Sequence, residues 1–259
     1  RDPDGPQVPI IQHADVRRML LAQKSYVEGG MALSLYCARL LDEQLTGVLE
    51  ADRADAGRLL DILTPVAKAW PSQWCLEANS LAIQVHGGYG YTRDYDVEQL
   101  YRDNRLNPIH EGTNGIQALD LLGRKVIAEG GAGLRLLLER ISLTSQRAAA
   151  DPELAEYADN LRLAADRIAA TTVGVWGDRD PDLALANASL YLEAFGHTVV
   201  AWLWLEQLLA AQGKAGGFYD GKRAAGRYFF RYELPKTGPQ LDLLDSLDRT
   251  TLDLDPAGF

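Results

Sequence analysis

The sequence predicts an all-α protein: an antiparallel helical bundle over residues 1–129, followed by a second small helical bundle over 130–259. Three observations predict it. Apolar residues recur at helical spacing in four segments of the first half, and no stretch keeps the period-two alternation of a half-buried strand. The pairs Asp151-Pro152 and Asp180-Pro181 match a capping aspartate followed by proline at the first helical position. The run Glu129-Gly130-Gly131-Ala132-Gly133 is short and glycine-rich, and marks the best boundary between the bundles.

Residues 1–9, with Pro3, Pro6 and Pro9, read as a linker-like entry, and Asp15 as the cap of the first helix, with Pro9 allowing an earlier start. From 16 to about 49 the apolar set is Met19, Leu20, Val27, Met31, Leu35, Ala38, Leu41, Leu45 and Val48. Gly29 and Gly30 interrupt it at roughly 1 kcal/mol each relative to Ala, which predicts close approach of another helix. Residues 51–57 read as a polar turn, and 58–86 as a second helix. Pro65 and Pro71 predict a first-turn proline, a kink or a break there. Trp70 and Trp74, spaced i, i+4, are expected to anchor it.

Residues 96–106 form a short charged helix that Asn107-Pro108 stops. Residues 111–127 form another, with Ile116, Leu119, Leu122 and Val126 on one side. In the second half helices are expected at 134–150, from 151 to about 173, from 180 to about 212 and at 222–232, with a partly irregular tail at 237–259. Residues 197–211 are the most apolar stretch, but fall short of the ~20 needed to span a bilayer and contain Glu206. A buried bundle helix is the expectation.

Composition bounds the function. The formal net charge of −10 argues against non-specific nucleic-acid binding, which needs a basic face. It leaves anionic small ligands open, because a local arginine cluster binds phosphate on an acidic protein. Cys37 and Cys75 form neither a disulfide framework nor a metal pair, which points to a reducing cytoplasm. Four scattered histidines carry no metal-ligand spacing, so no metal is expected. The polar, proline-rich entry does not read as a signal peptide.

Chemistry concentrates in residues 84–117. Gly87, Gly88 and Gly90, with Tyr89 and Tyr91, form a tight turn that suits either a helix C-cap or a phosphate or planar group laid against bare backbone. Pro108 arrests the charged helix and delivers Glu111 to the start of the next one, beside Gly112, Thr113 and Asn114. Glu111 reads either as a plain capping residue or as a base. An apolar ligand would raise its pKa towards neutrality, and a helix N-terminus would oppose that. Residue types alone leave both readings open.

Taken together, these residues resemble the acyl-CoA dehydrogenase family. The resemblance rests on Q-V-H-G-G-Y-G-Y at 84–91, the run at 95–105, I-H-E-G-T-N-G-I-Q at 109–117 and V-R-R-M-L-L-A-Q-K at 16–24. The segments at 191–205 and 226–235 resemble the C-terminal extension of a larger bacterial branch that includes the 3-methylmercaptopropionyl-CoA dehydrogenase-like proteins. The resemblance implies that Glu111 removes the α-proton of an acyl-CoA thioester while the β-hydrogen leaves as hydride to FAD. It implies that Gly112 lies against substrate and that Gln84, Gly87 and Gly88 contact the adenylate half of a neighbouring subunit's FAD. Thr113, Asn114 and Gly115 would approach the FAD of their own subunit. A homodimer or homotetramer and an electron-transfer flavoprotein acceptor follow from the same likeness.

Position 110 is His where many relatives carry Tyr. The family's N-terminal helical domain and middle β-domain have no counterpart here. The chain, which opens without an initiator Met, is therefore expected to be a fragment, or one subunit of a split enzyme, inactive alone. An acyl-CoA oxidase and a non-catalytic helical oligomerisation module are the alternatives.

Overall fold

The computed structural model describes residues 5–177 and 180–258; Arg1, Pro3 and the end of the tail at Phe259 lie outside them. Among the described residues the regular structure is entirely helical. Two long helices, α1 (Ala14–Thr46) and α2 (Glu50–His86), lie against each other as an antiparallel hairpin. At 1.5 Å per residue they are about 50 and 55 Å long. Short α3 (Val97–Asn104) and α4 (Asn114–Asp120) pack on α2. Then follow α5 (Ala132–Ala149), α6 (Ala155–Trp176), α7 (Pro181–Leu185), α8 (Ala188–Ala210), α9 (Gly217–Tyr228) and α10 (Thr237–Asp245).

The hairpin departs from the sequence reading in four ways. Asp15 is not the cap: α1 starts one residue earlier, and Asp15 sits in its first turn, paired with Arg18 at 2.8 Å. The polar turn expected at 51–57 is the opening of α2, and the reversal is confined to 47–49. Ala51, Ala54 and Ala56 are strong helix formers, and Ala56 is buried. Pro65 and Pro71 do not break α2. Leu59, Ile62, Leu63, Val66, Ala69 and Trp70 are buried along the same helix, and that packing outweighs two lost backbone hydrogen bonds.

The fourth departure concerns α1's faces. Val27, Met31, Leu35, Leu41 and Leu45 are exposed, Leu35 by 63% and Leu45 by 71%. The buried stripe is instead Met19, Ala22, Tyr26, Gly29, Gly30, Leu33 and Leu40. A helix with two apolar stripes buries the one whose small residues admit a neighbour most closely. A Cβ on Gly29 would lie 2.6 Å from Val200 Cγ1, so α8 is the neighbour that Gly29 admits.

Helix α8 is the centre of the molecule. Its 23 residues are apolar around most of the circumference, which predicts burial on every side. It touches α1, α2, α4, α5, α6, α9 and α10. Trp204 and Tyr191 are fully buried, and the Trp204 indole N–H donates to Ser25 O of α1 at 3.1 Å. One hydrophobic core therefore runs from Ala22 to Leu244.

Asp180 caps α7 as expected, accepting from the Asp182 N–H at 3.2 Å, with Pro181 following. The helix expected from 180 to 212 is nevertheless interrupted at Ala186 and Asn187, where Asn187 Nδ2 donates to Asp248 O. Among the described residues no helix is long and apolar enough to cross a membrane.

Candidate functional site

The site is built on α2. Its last turn carries Gln84, and Gly87 closes the helix at φ 60°, ψ −146°, a region a side chain rarely enters. A Cβ at Gly87 or Gly88 would have no heavy atom within 4 Å, so this backbone is open to a large partner. Gly90 differs: a Cβ there would lie 2.5 Å from Ile83 O, so it serves packing. His86, Tyr89 and Tyr95 cluster at the turn, with ring centroids 5.5 and 6.0 Å apart.

The Glu111 loop sits further back on the same helix. Residues 105–110 leave α3 through successive tight turns. Lys68 Nζ donates to Asn107 O at 2.8 Å, Asn107 Nδ2 to Asn104 Oδ1 at 2.7 Å, and Asn104 Nδ2 to Asn79 Oδ1 at 2.7 Å. Asn114 N–H donates to Pro108 O, and Asn114 Nδ2 to Gln73 Oε1 at 3.3 Å. These bonds tie both ends of the loop to α2. Lys68, Gln73 and Asn79 escaped the sequence reading, since polar residues on a long helix carry no local signal of what they hold.

Glu111 has φ 53°, one of three described non-glycine residues at positive φ. Such a backbone costs of order 1–3 kcal/mol and persists only where the surroundings enforce it. Its carboxylate is exposed and makes no hydrogen bond or ion pair among the described residues. The capping function falls to Thr113, whose Oγ1 accepts from Ile116 N–H. Gly112 follows at φ 86°, and a Cβ there would lie 2.6 Å from Gln117 Nε2. Of the expected face, Leu122 and Val126 are buried, while Ile116 and Leu119 are exposed and Ala118 and Leu121 are buried in their place.

The predicted residues therefore form two groups. Gln84, Gly87 and Gly88 stand together; Glu111 to Gly115 stand together near Gln73. Fourteen residues separate Gln73 from Gly87, about 21 Å of helix. An extended ligand, or two ligands, would be needed to touch both. For a dinucleotide the donor set fits: open glycine backbone at one end, and at the other Asn114 Oδ1, a buried acceptor without a partner. A shallow cavity of about 420 Å³ lined by Gln73, Arg105, Ile109, Thr113, Asn114 and Gly115 opens beside it.

Thiol and metal chemistry find no support. Burial pushes the Cys37 thiol up to about 11 and raises that of Cys75, away from the reactive thiolate. No group of three metal-ligating side chains occurs among the described residues.

Comparison with known proteins decides the family. Residues 1–127 match the family model described as acyl-CoA dehydrogenase, C-terminal domain, and residues 137–255 match acetyl-CoA dehydrogenase C-terminal like. The chain belongs to the acyl-CoA dehydrogenase family. It is 38% identical over 235 residues to 3-methylmercaptopropionyl-CoA dehydrogenase of Ruegeria pomeroyi, covering 86% of the chain and 39% of that protein. It is 30% identical to a broad-specificity linear acyl-CoA dehydrogenase of Mycobacterium tuberculosis, covering 100% of the chain and 45% of the relative. It thus spans less than half the length of these relatives. Among solved structures, an acyl-CoA dehydrogenase complexed with FAD from Bacillus anthracis superposes with a TM-score of 0.74 at 17% identity, over 93% of this chain and 43% of that one. This likeness speaks for the all-helical fold.

A buried cluster joins the halves of this family member and escaped the sequence reading. His197 and Glu233 are each 1% exposed. Trp70 Nε1 lies 3.3 Å from His197 Nδ1, which is also 3.1 Å from Glu193 O, and His197 Nε2 faces Glu233 Oε2 at 3.7 Å. Lys236 Nζ reaches the same carboxylate oxygen at 2.6 Å. Burial pushes the Glu233 carboxyl up, but His197 and Lys236 together hold it below the usual carboxylate range. The cluster works as a polar seam between α2, α8 and residues 229–236, which follow α9.

Proposed function

We propose that this chain supplies the base and part of the cofactor surface of an FAD-dependent acyl-CoA dehydrogenase. The observation that supports it is Glu111: an unpaired carboxylate, at a strained backbone position, on a loop tied to α2 at both ends, in a chain of this family. Strain held by surrounding bonds marks a position kept for geometry rather than stability.

In this reading Glu111 takes the α-proton of the acyl-CoA thioester on a carboxylate oxygen. Gly112, without a side chain, lets the acyl group lie against the loop. Backbone N–H of Glu111 polarises the thioester carbonyl and stabilises the developing enolate charge. When bound, FAD accepts the β-hydrogen as hydride. Thr113, Asn114 and Gly115 hold one FAD, and Gln84, Gly87 and Gly88 hold the adenylate half of a neighbouring subunit's FAD. The roughly 21 Å of helix between Gln73 and Gly87 supports this division. A dimer or tetramer follows, with an electron-transfer flavoprotein as acceptor.

In the holoenzyme, Glu111→Gln is expected to retain flavin absorbance and lose α,β-dehydrogenation by at least a thousandfold. Turnover of that variant near the wild-type rate defeats the assignment. Peroxide release in step with product would move the reading to an acyl-CoA oxidase.

A further inference from the structure

A large concavity lies away from residues 84–117. It is a groove of about 1010 Å³ between α1, α5 and α8, at the upper end of the size range of small-ligand sites. Its floor is apolar: Tyr36 and Trp202 meet edge to face with centroids 5.1 Å apart, flanked by Leu35 and Leu143. The Trp202 indole N–H donates to Thr144 Oγ1 at 2.8 Å, the Thr144 hydroxyl to Glu206 at 2.6 Å, and Arg147 to Glu206 at 2.9 Å. These polar groups satisfy one another, so the floor offers no array for a sugar or a base.

What remains unspent is positive. Arg140 has no ion-pair partner among the described residues. Arg39 holds Glu43 at 3.2 Å and lies 5.2 Å from the Tyr36 ring centroid. Arg39 and Arg140 both line the groove. The buried lining group without a partner, Gln207 Nε2, is also a donor. On a chain of net charge −10, a groove with this balance is shaped for an anion.

We propose that the groove binds a single-chain amphiphile with a carboxylate head, a fatty carboxylate. Its alkyl chain lies over Tyr36, Trp202 and Leu143, and its head meets Arg140, whose planar fork matches a carboxylate in two parallel hydrogen bonds. Arg39 lines the same groove. The proposal stands apart from the Glu111 reading, because no residue of 84–117 lines the groove.

Calorimetric titration of the holoenzyme with sodium dodecanoate, below its micelle concentration, tests it. Saturable binding is expected, unchanged in Glu111→Gln and weakened at least tenfold in Arg140→Gln. Arg140 is exposed, so that variant is expected to fold. Leu143→Glu, which sets a carboxylate beside the bound chain, is expected to abolish binding, with circular dichroism unchanged. Octanoate should bind more weakly than dodecanoate, and dodecyltrimethylammonium no better to wild type than to Arg140→Gln. Absence of saturable binding overturns the proposal. So do equal affinity for the cationic amphiphile, an unaffected Arg140→Gln, or a groove that takes only an acidic amphipathic peptide.

Discussion

Helix α8 and the Glu111 loop are both held by α2, and they are held by opposite means. Around α8 the contacts are large and buried: Trp204, Phe195 and Tyr191 pack with almost no exposure, and a Cβ on Gly196 would lie 2.6 Å from Trp70. The loop buries only Pro108 within 105–111 and relies on four or five side-chain hydrogen bonds. Packing energy scales with area removed from water, whereas each hydrogen bond contributes about 1 kcal/mol net. Stability thus resides in the seam, and the loop is free to hold a strained residue. The largest expected effect is accordingly in the seam. Trp204→Ala is expected to cost about 3–5 kcal/mol, a large fraction of total stability. Denaturant melts would show it. A cost near 1 kcal/mol would mean that α8 does not centre the core.

Among the described residues the seam also contains a buried charge, Glu233, which gives it a pH dependence. Glu233 has a folded pKa below its ordinary value of 4.5. Its contribution is therefore present above pH 4.5 and is lost as pH falls through the lower folded value. Thermal melts between pH 6 and 3 should fall more steeply for wild type than for Glu233→Gln, which gives up part of the stability at every pH. Parallel curves would remove Glu233 from the seam's energetics.

The same contrast explains what was legible in the sequence. All-helical class, the long hairpin, the Asp180 cap and the burial of residues 197–211 followed from periodicity and local chemistry. The exposed stripe of α1 did not, because Val27, Met31, Leu35 and Leu45 outscore Ala22 and Gly29 in hydrophobicity, and only the shape of α8 tells which stripe it meets. Pro65 and Pro71 left a kink or a break open, and tertiary packing carries α2 through both without a break. At the candidate site, the motif singles out Glu111 and its glycine neighbours. Its tethers were invisible, because Lys68, Gln73 and Asn79 lie 25 to 41 positions before their partners Asn107, Asn114 and Asn104, and nothing local marks them.

The smallest expected effect on stability tests the loop's side of the contrast. Lys68 Nζ bonds a backbone carbonyl at the surface, and Lys68→Met keeps the stem while removing the donor. The cost should be about 1 kcal/mol or less, a shift of a few degrees in the melting midpoint. Its effect on the loop should be larger, because Asn107 O is tied to α2 by that donor. Amide exchange across 105–115 should accelerate while α8 stays protected, and kcat of the holoenzyme should fall more than stability does. If exchange in α8 accelerates equally, the loop and the seam form one cooperative unit, and the division between a rigid core and a tethered site fails.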